Sequence, residues 1–345
     1  MKNAVILALL ITFATPFTGA PAWAQTSGKM GANMGKNMDP NVASSALPPQ
    51  SFSPLVETGA GTVALAVDGL RLTLNDGQIV ELSGIEIPGM NEMGAADPSN
   101  FPLQAKQALD QLFVKDKDII LYQTRDKDTG RVNRMGHTLA HVVQKPGNVW
   151  IQSYLVRQGL ARVAPTLRNP ELADQLYKIE QQARDEKRGI WADGSAYAVV
   201  KTTEAINPSP RFIVAEGTVV KAAIVSNRVY LNFGDDWKKD FSVGVEPDVR
   251  RALARAGIDP LQLQGKTLRI RGWVRDYNGP FIDLETPAQI EFPDGSKPLP
   301  APGGAFTVEA PKNPETDTDQ RPNAGMDEDS QNDQQAPARS GPVRE

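Results

Sequence analysis

The chain has 345 residues, no cysteine, 37 Lys and Arg against 41 Asp and Glu for a formal net charge of -4, and 27 prolines beside 29 glycines. That length predicts about two domains with further segments around them. Without cysteine there are no disulfides, thiolate metal sites or cysteine nucleophiles, and the acid excess argues against a surface built broadly to grip nucleic-acid phosphates.

At the N-terminus Lys2 precedes an apolar run from Ala4 to about Phe17, and Ala22-Trp23-Ala24 forms a small-x-small cleavage site before Gln25. This predicts a cleaved secretory signal peptide over residues 1–24. The competing reading, an uncleaved anchor, is weakened by Thr12, Thr15 and Pro16, which interrupt a run already short of the ~20 residues a span needs. The mature chain is therefore expected to have no membrane span and to be periplasmic or secreted. Residues 25–58 turn to Gly, Asn, Ser and Pro, with Met30, Met34 and Met38 four apart, and read as a flexible linker. Three thioethers at that spacing are also compatible with a soft ion, but Gly31 and Gly35 disfavour the helix that would align them.

The first folded segment is expected over residues 59–195. Alternating apolar and β-branched residues from Thr62 to Leu74 predict two strands around a bend. Asn75-Asp76-Gly77 predicts a hairpin turn, and Ile79 to Ile85 the returning strand. Leu103, Ala105, Ala108, Leu109, Leu112 and Phe113 have helical spacing. Strands are expected at Ile119–Tyr122 and Thr138–Val143, then helices over Trp150–Gln158 and Glu171–Lys187, the second preceded by Pro170 and followed by Gly189.

Leu155-Val156-Arg157-Gln158-Gly159-Leu160-Ala161-Arg162-Val163, followed by a helix that ends in Gly189-Ile190-Trp191, resembles the staphylococcal-nuclease-like (thermonuclease) family. Val67-Asp68-Gly69, Ile85-x-Ile87-Pro88 and Gly136-x-x-Leu139-Ala140 fall in the family's order and spacing. The resemblance implies a five-stranded OB-type barrel with three helices. It also implies a Ca2+-dependent phosphodiester hydrolase in which two aspartates hold the metal, a glutamate acts as base and two arginines clamp the phosphate. Hard cations take carboxylate oxygens, and guanidinium forks match phosphate.

Carried over position by position, that pattern is lost almost throughout. The first metal aspartate falls on Leu70, the first arginine on Glu81, the second metal aspartate on Glu86, the glutamate on Gly89 and the second arginine on His137. Ile87 would still offer the backbone carbonyl that binds metal in the family. Glu86 alone retains a metal-ligand carboxylate, displaced by one methylene. Substitutes within reach in sequence are Glu92, and Arg131 or Arg134 in a shifted Asp128-Thr129-Gly130-Arg131 loop, although a register that uses Arg131 loses the match at Gly136. His137 and His141 share strand phase, which would suit a metal pair if a third ligand were evident. No catalytic residue and no cofactor is therefore expected, with Ca2+ only if the nuclease reading holds.

Residues 196–209 read as a second linker, and residues 210–293 as a second OB-like domain. Its strands are expected at Phe212–Val220, Arg228–Phe233, Phe241–Val245, Thr267–Val274 and Phe281–Leu284, with a helix near Val249–Ala256. Tyr230, Phe233, Trp237, Trp273 and Tyr277 beside Lys238, Lys239, Arg269, Arg271 and Arg275 are the pattern of a stacking groove for single-stranded nucleic acid. The interleaved Asp235, Asp236, Asp240, Asp276 and Asp283 disfavour that partner by charge. Residues 294–345 read as a disordered, acidic, Pro-rich tail. Together these readings predict a mainly β, α+β protein of two OB-fold barrels, an exported pseudoenzyme that binds or scaffolds an unidentified protein or polymer ligand. The alternatives are a phosphodiesterase with an altered site and a non-cleaving nucleic-acid binder.

Overall fold

The computed structural model describes residues 51–90, 99–236 and 238–295. The signal segment, the Met30–Met38 tract, most of the tail, Glu92 and Trp237 lie outside the described residues. The first strand, β1 (Leu55–Ala66), begins inside the segment that composition assigns to the linker. It is long because it serves two neighbours: Leu55–Thr62 pairs with β5 (Asp118–Thr124), and Val63–Ala66 with β2 (Arg71–Leu74). Irregularities at Glu57/Gly59 and Val63/Leu65 bend it between them. β3 (Ile79–Leu82) follows the Asp76-Gly77 turn, where Gly77 has φ +88° and Asp76 Oδ1 accepts from Gln78 N–H. β3 runs parallel to β6 (Thr138–Lys145), which returns to β5. The ring β1-β2-β3-β6-β5 closes a five-strand barrel.

Helix α1 (Phe101–Leu112) turns Phe101, Ala105, Ala108 and Leu109 to the core, and its first turn is capped by the Asn100 side chain with Pro102 inside the start. The sequence-predicted helix at Trp150 begins one residue later. Val149–Trp150 is a short strand, β7, against β6, and α2 covers Ile151–Arg157. Helix α3 (Ala173–Asp185) then packs on α2. The two glycines of the quoted motifs meet each other. Gly159 (φ +67°) passes so close to Gly189 (φ +51°) that a Cβ on either would strike the other's strand of backbone, and Ile190 N–H donates to the Gly159 carbonyl at 2.9 Å. Two short strands complete this half: β4 (Ile85–Glu86) pairs antiparallel with β8 (Arg162–Val163).

The second barrel repeats the plan. β10 (Arg211–Thr218) and β11 (Lys221–Val225) are the two arms of one bent strand, followed by β12 (Arg228–Asn232), β13 (Ser242–Val245), α4 (Pro247–Arg255), β14 (Thr267–Asp276) and β15 (Pro280–Leu284). β10 pairs with β14, β11 with β12 and β13 in parallel with β15, the same relation as β3 with β6. Sequence reading stopped the first strand at Val220 and left out β11. The missed signal was Ser226-Asn227, both at positive φ (49° and 68°), a two-residue hairpin turn.

The segment read as a second linker is pinned in place. β9 (Val200–Lys201) lies parallel to β10, and the Tyr197 ring meets Phe101 edge-on at 5.7 Å. Both barrels belong to one compact unit. Along β10, Ile213 and Ala215 fill the second barrel, while Phe212 and Val214 point the other way and join the core of the first. A last short strand, β16 (Ile290–Glu291), pairs with β14.

Candidate functional site

Of the positions to which the resemblance assigns function, Glu81 and His137 touch each other and Glu86 is paired with Arg162. Leu70 is part of the hydrophobic core. Its only polar groups are those of the backbone: the N–H donates to Asp68 Oδ1 at 2.8 Å and the carbonyl accepts from Leu82 N–H at 2.9 Å. The nearby carboxylate of Asp68 is likewise engaged, accepting from Arg71 N–H at 2.9 Å and Arg71 Nε at 2.6 Å. This hydrogen bond first, and then the charges of Asp68 and Glu81, raise the Arg71 pKa.

The two positions that carry arginines in the family touch each other. Glu81 sits on β3 opposite Arg71, and its Oε2 accepts from Asn133 Nδ2 at 3.0 Å and lies 3.3 Å from His137 Nδ1. Asn133 holds the loop in this form by accepting from His137 N–H at 3.0 Å and Met135 N–H at 2.9 Å. Where the resemblance implies two phosphate-clamping arginines, the protein has a carboxylate beside an imidazole, and a carboxylate repels an approaching phosphate.

Glu86 and Arg162 are directly opposite across β4 and β8, and Arg162 Nε donates to Glu86 Oε2 at 2.6 Å with the arginine side chain 1% and the glutamate 7% exposed. The guanidinium is sandwiched by aromatic rings, its Cζ lying 4.7 Å from the centroid of Phe212 and 5.6 Å from that of Tyr197. Phe212 comes from the second barrel and Tyr197 from the strap between the barrels. At Gly89 the backbone has φ +84°, and the Tyr197 hydroxyl stands over the place where a side chain would begin.

The proposed substitutes are also placed. Arg131 Nε donates to the Thr124 carbonyl at 3.0 Å and Nη2 to that of Arg125 at 3.4 Å, so its guanidinium fastens the loop to the end of β5. Arg134 is exposed on the loop that carries Asn133. His141 does not share a site with His137. It is buried, its Nδ1 accepts from Trp150 Nε1 at 3.3 Å, and burial pushes its pKa down to about 3. Among the described residues no group of three His, Asp or Glu side chains is arranged to hold a metal. The family's Ca2+ does not fit these donors: Leu70 has none, and the charge of Glu86 is balanced by a guanidinium where the cation would have to be.

The basic residues Arg269 and Arg271, which the sequence offered as candidates for a nucleic-acid groove that charge disfavours, form an internal tie. Arg271 on β14 is wholly buried and donates from Nη1 to Glu180 Oε2 at 2.9 Å and from Nη2 to Glu180 Oε1 at 3.1 Å. It also reaches the Val163 carbonyl at 2.9 Å, while Val163 N–H donates to Glu180 Oε2 at 2.7 Å. Its guanidinium lies on the Tyr177 ring, 4.3 Å from Cζ to centroid. Arg184 and Glu291 extend the cluster, and Arg269 pairs with Glu216 and Glu291. Burial opposes ionisation of Glu180, but Arg271 and Arg184 outweigh it and hold the carboxyl below its ordinary pKa. Of the remaining groove candidates among the described residues, Phe233 is a core residue, Arg275 is paired with Asp283 at 2.6 Å, and the exposed aromatic residues are Trp273 and Tyr277.

Residues 79–193 match the family model described as Staphylococcal nuclease homologue. With the closed five-strand barrel to which that span contributes strands, this supports a staphylococcal-nuclease-like domain in the chain. β1 and β2, which complete the ring, precede the matched span. No curated protein matches the chain.

Proposed function

We propose that this is an exported, non-catalytic member of the nuclease-like group, in which the first barrel has exchanged phosphodiester hydrolysis for a structural role within a two-barrel binding or scaffolding body. The observation that carries this reading is the buried Glu86–Arg162 pair under Phe212 and Tyr197. A metal-assisted mechanism needs a cation coordinated by free carboxylates at an open position. Here the remaining carboxylate is buried and hydrogen-bonded to a cationic partner, whose guanidinium in turn lies against Phe212 of the second barrel. Loss of the base at Gly89 and of both arginines compounds this, since each such group contributes about 10²- to 10⁴-fold to rate. Export is supported by the order of basic residue, apolar run and Ala22-Trp23-Ala24 at the start of the chain.

Calorimetric titration with Ca2+ tests the reading at its metal. No saturable heat is expected at millimolar Ca2+, and the heat that does appear should be the same in Glu86→Gln. Stoichiometric binding that disappears in Glu86→Gln would restore the phosphodiesterase reading.

A further inference from the structure

The second barrel carries a groove of about 410 Å³ on the outer face of β11, β12, β13 and β15, away from the face that packs on the first barrel. Side chains alternate along these strands, so Val229, Leu231, Val243 and Ile282 fill the barrel while Tyr230, Asn232, Ser242 and Phe281 point outward. Tyr277 closes one side from the β14–β15 hairpin, its ring 5.1 Å from that of Phe281 and the residue 44% exposed. On β13 next to Ser242 and Val243, Gly244 leaves no room for a side chain, which would collide with Arg228 and the Phe281 ring. Its bare backbone lets those two groups lie flat across the sheet.

The electrostatics select the ligand class. Arg228 and Arg275 stack on Tyr230, Phe281 and Tyr277, but both are claimed by Asp283, Arg228 on Oδ1 and Arg275 on Oδ2, and Arg228 Nε is also 3.1 Å from Glu246. Among the described residues that line the groove, Lys221 is the cation. A phosphate polymer needs several uncommitted cations, and this face does not supply them. What it supplies is a half-exposed aromatic ring beside neutral groups that both donate and accept: Asn232, whose Oδ1 receives the Ser242 hydroxyl at 3.1 Å and whose amide hydrogens remain, and Asn278 at the turn. Apolar ring plus a few placed amides and hydroxyls, at a volume inside the roughly 300–1,000 Å³ of ligand pockets, is the make-up of a small-molecule subsite. Vicinal hydroxyls are the groups that match amides in both roles, and the C–H face of a sugar ring matches the face of a tyrosine.

We propose that this face of the second barrel binds a neutral saccharide, one ring of which stacks on Tyr277 while the Asn232 and Asn278 amides and Lys221 take its hydroxyls. The site stands on the second barrel alone and does not depend on the state of the first barrel's catalytic positions.

The test is titration of the mature chain with three neutral hexasaccharides, maltohexaose, cellohexaose and chitohexaose, beside a short oligothymidylate and a proline-rich decapeptide. At least one saccharide is expected to saturate, with an affinity insensitive to salt. Tyr277→Ala should weaken it about tenfold or more, whereas Tyr277→Phe, which keeps the ring, should stay within about threefold of the parent. Asn278→Gly removes an amide at a position of φ +53° that glycine tolerates, so it supplies a second weakened variant if Tyr277→Ala fails to fold. Failure of all three saccharides to bind would overturn the proposal. So would saccharide binding unchanged in a folded Tyr277→Ala or, failing that variant, in Asn278→Gly. Salt-sensitive oligothymidylate binding, or peptide binding, that these substitutions abolish would assign the face to another class of ligand.

Discussion

Replacing Arg271 by alanine removes the guanidinium that joins the two barrels. Glu180 is completely buried and loses three contacts with Arg271 between 2.9 and 3.1 Å, keeping only Arg184 and the Val163 N–H. The Val163 carbonyl and Glu291 each lose a partner as well. An ion stripped of its partner in the interior costs about 3–5 kcal/mol, a large part of the 5–15 kcal/mol that holds a typical domain. Urea unfolding followed by tryptophan fluorescence reads it, because Trp150 and Trp191 report the first barrel and Trp273 the second. The parent should unfold in one transition, and Arg271→Ala at much lower urea, with the barrels separating into two transitions as their tie is lost. The double variant Glu180→Gln, Arg271→Met leaves no unpaired charge and should recover most of the loss, since a buried ion pair replaced as a unit is often neutral. The sign of the pH dependence follows from the same cluster. Glu180 has its folded pKa below the unfolded value of 4.5, so its contribution is present above pH 4.5 and is lost as pH falls through the lowered value, and Arg271→Ala should blunt that acid sensitivity. A loss under about 1 kcal/mol in Arg271→Ala would refute the reasoning, because it would mean that Glu180 is solvated or re-paired without cost.

His141 makes a second, separable pH prediction. With its folded pKa lowered by burial from 6.5 to about 3, it is neutral in the fold, and stability should fall as pH drops below 6.5, by at most about 1.4 kcal/mol per pH unit. In His141→Phe the part of that slope between pH 6 and the carboxylate range should vanish, as measured by urea midpoints against pH. Gly159→Ala combines positive φ with a Cβ against the Arg188 carbonyl and should cost about 2 kcal/mol or more in thermal unfolding. Phe212→Ala removes a ring that is buried in the first barrel's core and covers Arg162, and should cost about 3–5 kcal/mol by chemical denaturation, with faster protease cleavage between residues 196 and 210.

Local pattern carried most of the fold. Alternation predicted β2, β3, β12 and β13, helical spacing predicted α1 and α3, and the quoted nuclease-like motifs pointed to the first barrel. The departures came where a residue's partner is distant in sequence. Leu55–Gly61 looks like linker by composition, and only pairing with β5 makes it a strand. β11 is the exception, because its partner β12 is the next strand and the Ser226-Asn227 turn between them was a local mark. Arg269 and Arg271 have the alternation of an exposed basic face, yet their carboxylate partners Glu180, Glu216 and Glu291 lie 91, 53 and 20 or more residues away in the chain. The same holds at the nuclease-like site. The expected absence of a metal ligand at Leu70, of a base at Gly89 and of arginines at Glu81 and His137 is read from the sequence residue by residue, but the partner of Glu86 is Arg162, which sits inside the run quoted for the resemblance, and the ring against that guanidinium is Phe212 of the second barrel.

The central claim is that the barrel persists without the chemistry, and cleavage measures it directly. The mature chain is incubated with single- and double-stranded DNA and RNA, in Ca2+ and in chelator, and products are followed over time. No cleavage above the chelator control is expected for any substrate. Ca2+-dependent cleavage by the parent that is lost in a folded Glu86→Gln, a change that keeps the hydrogen bond to Arg162 and removes the charge, would contradict it.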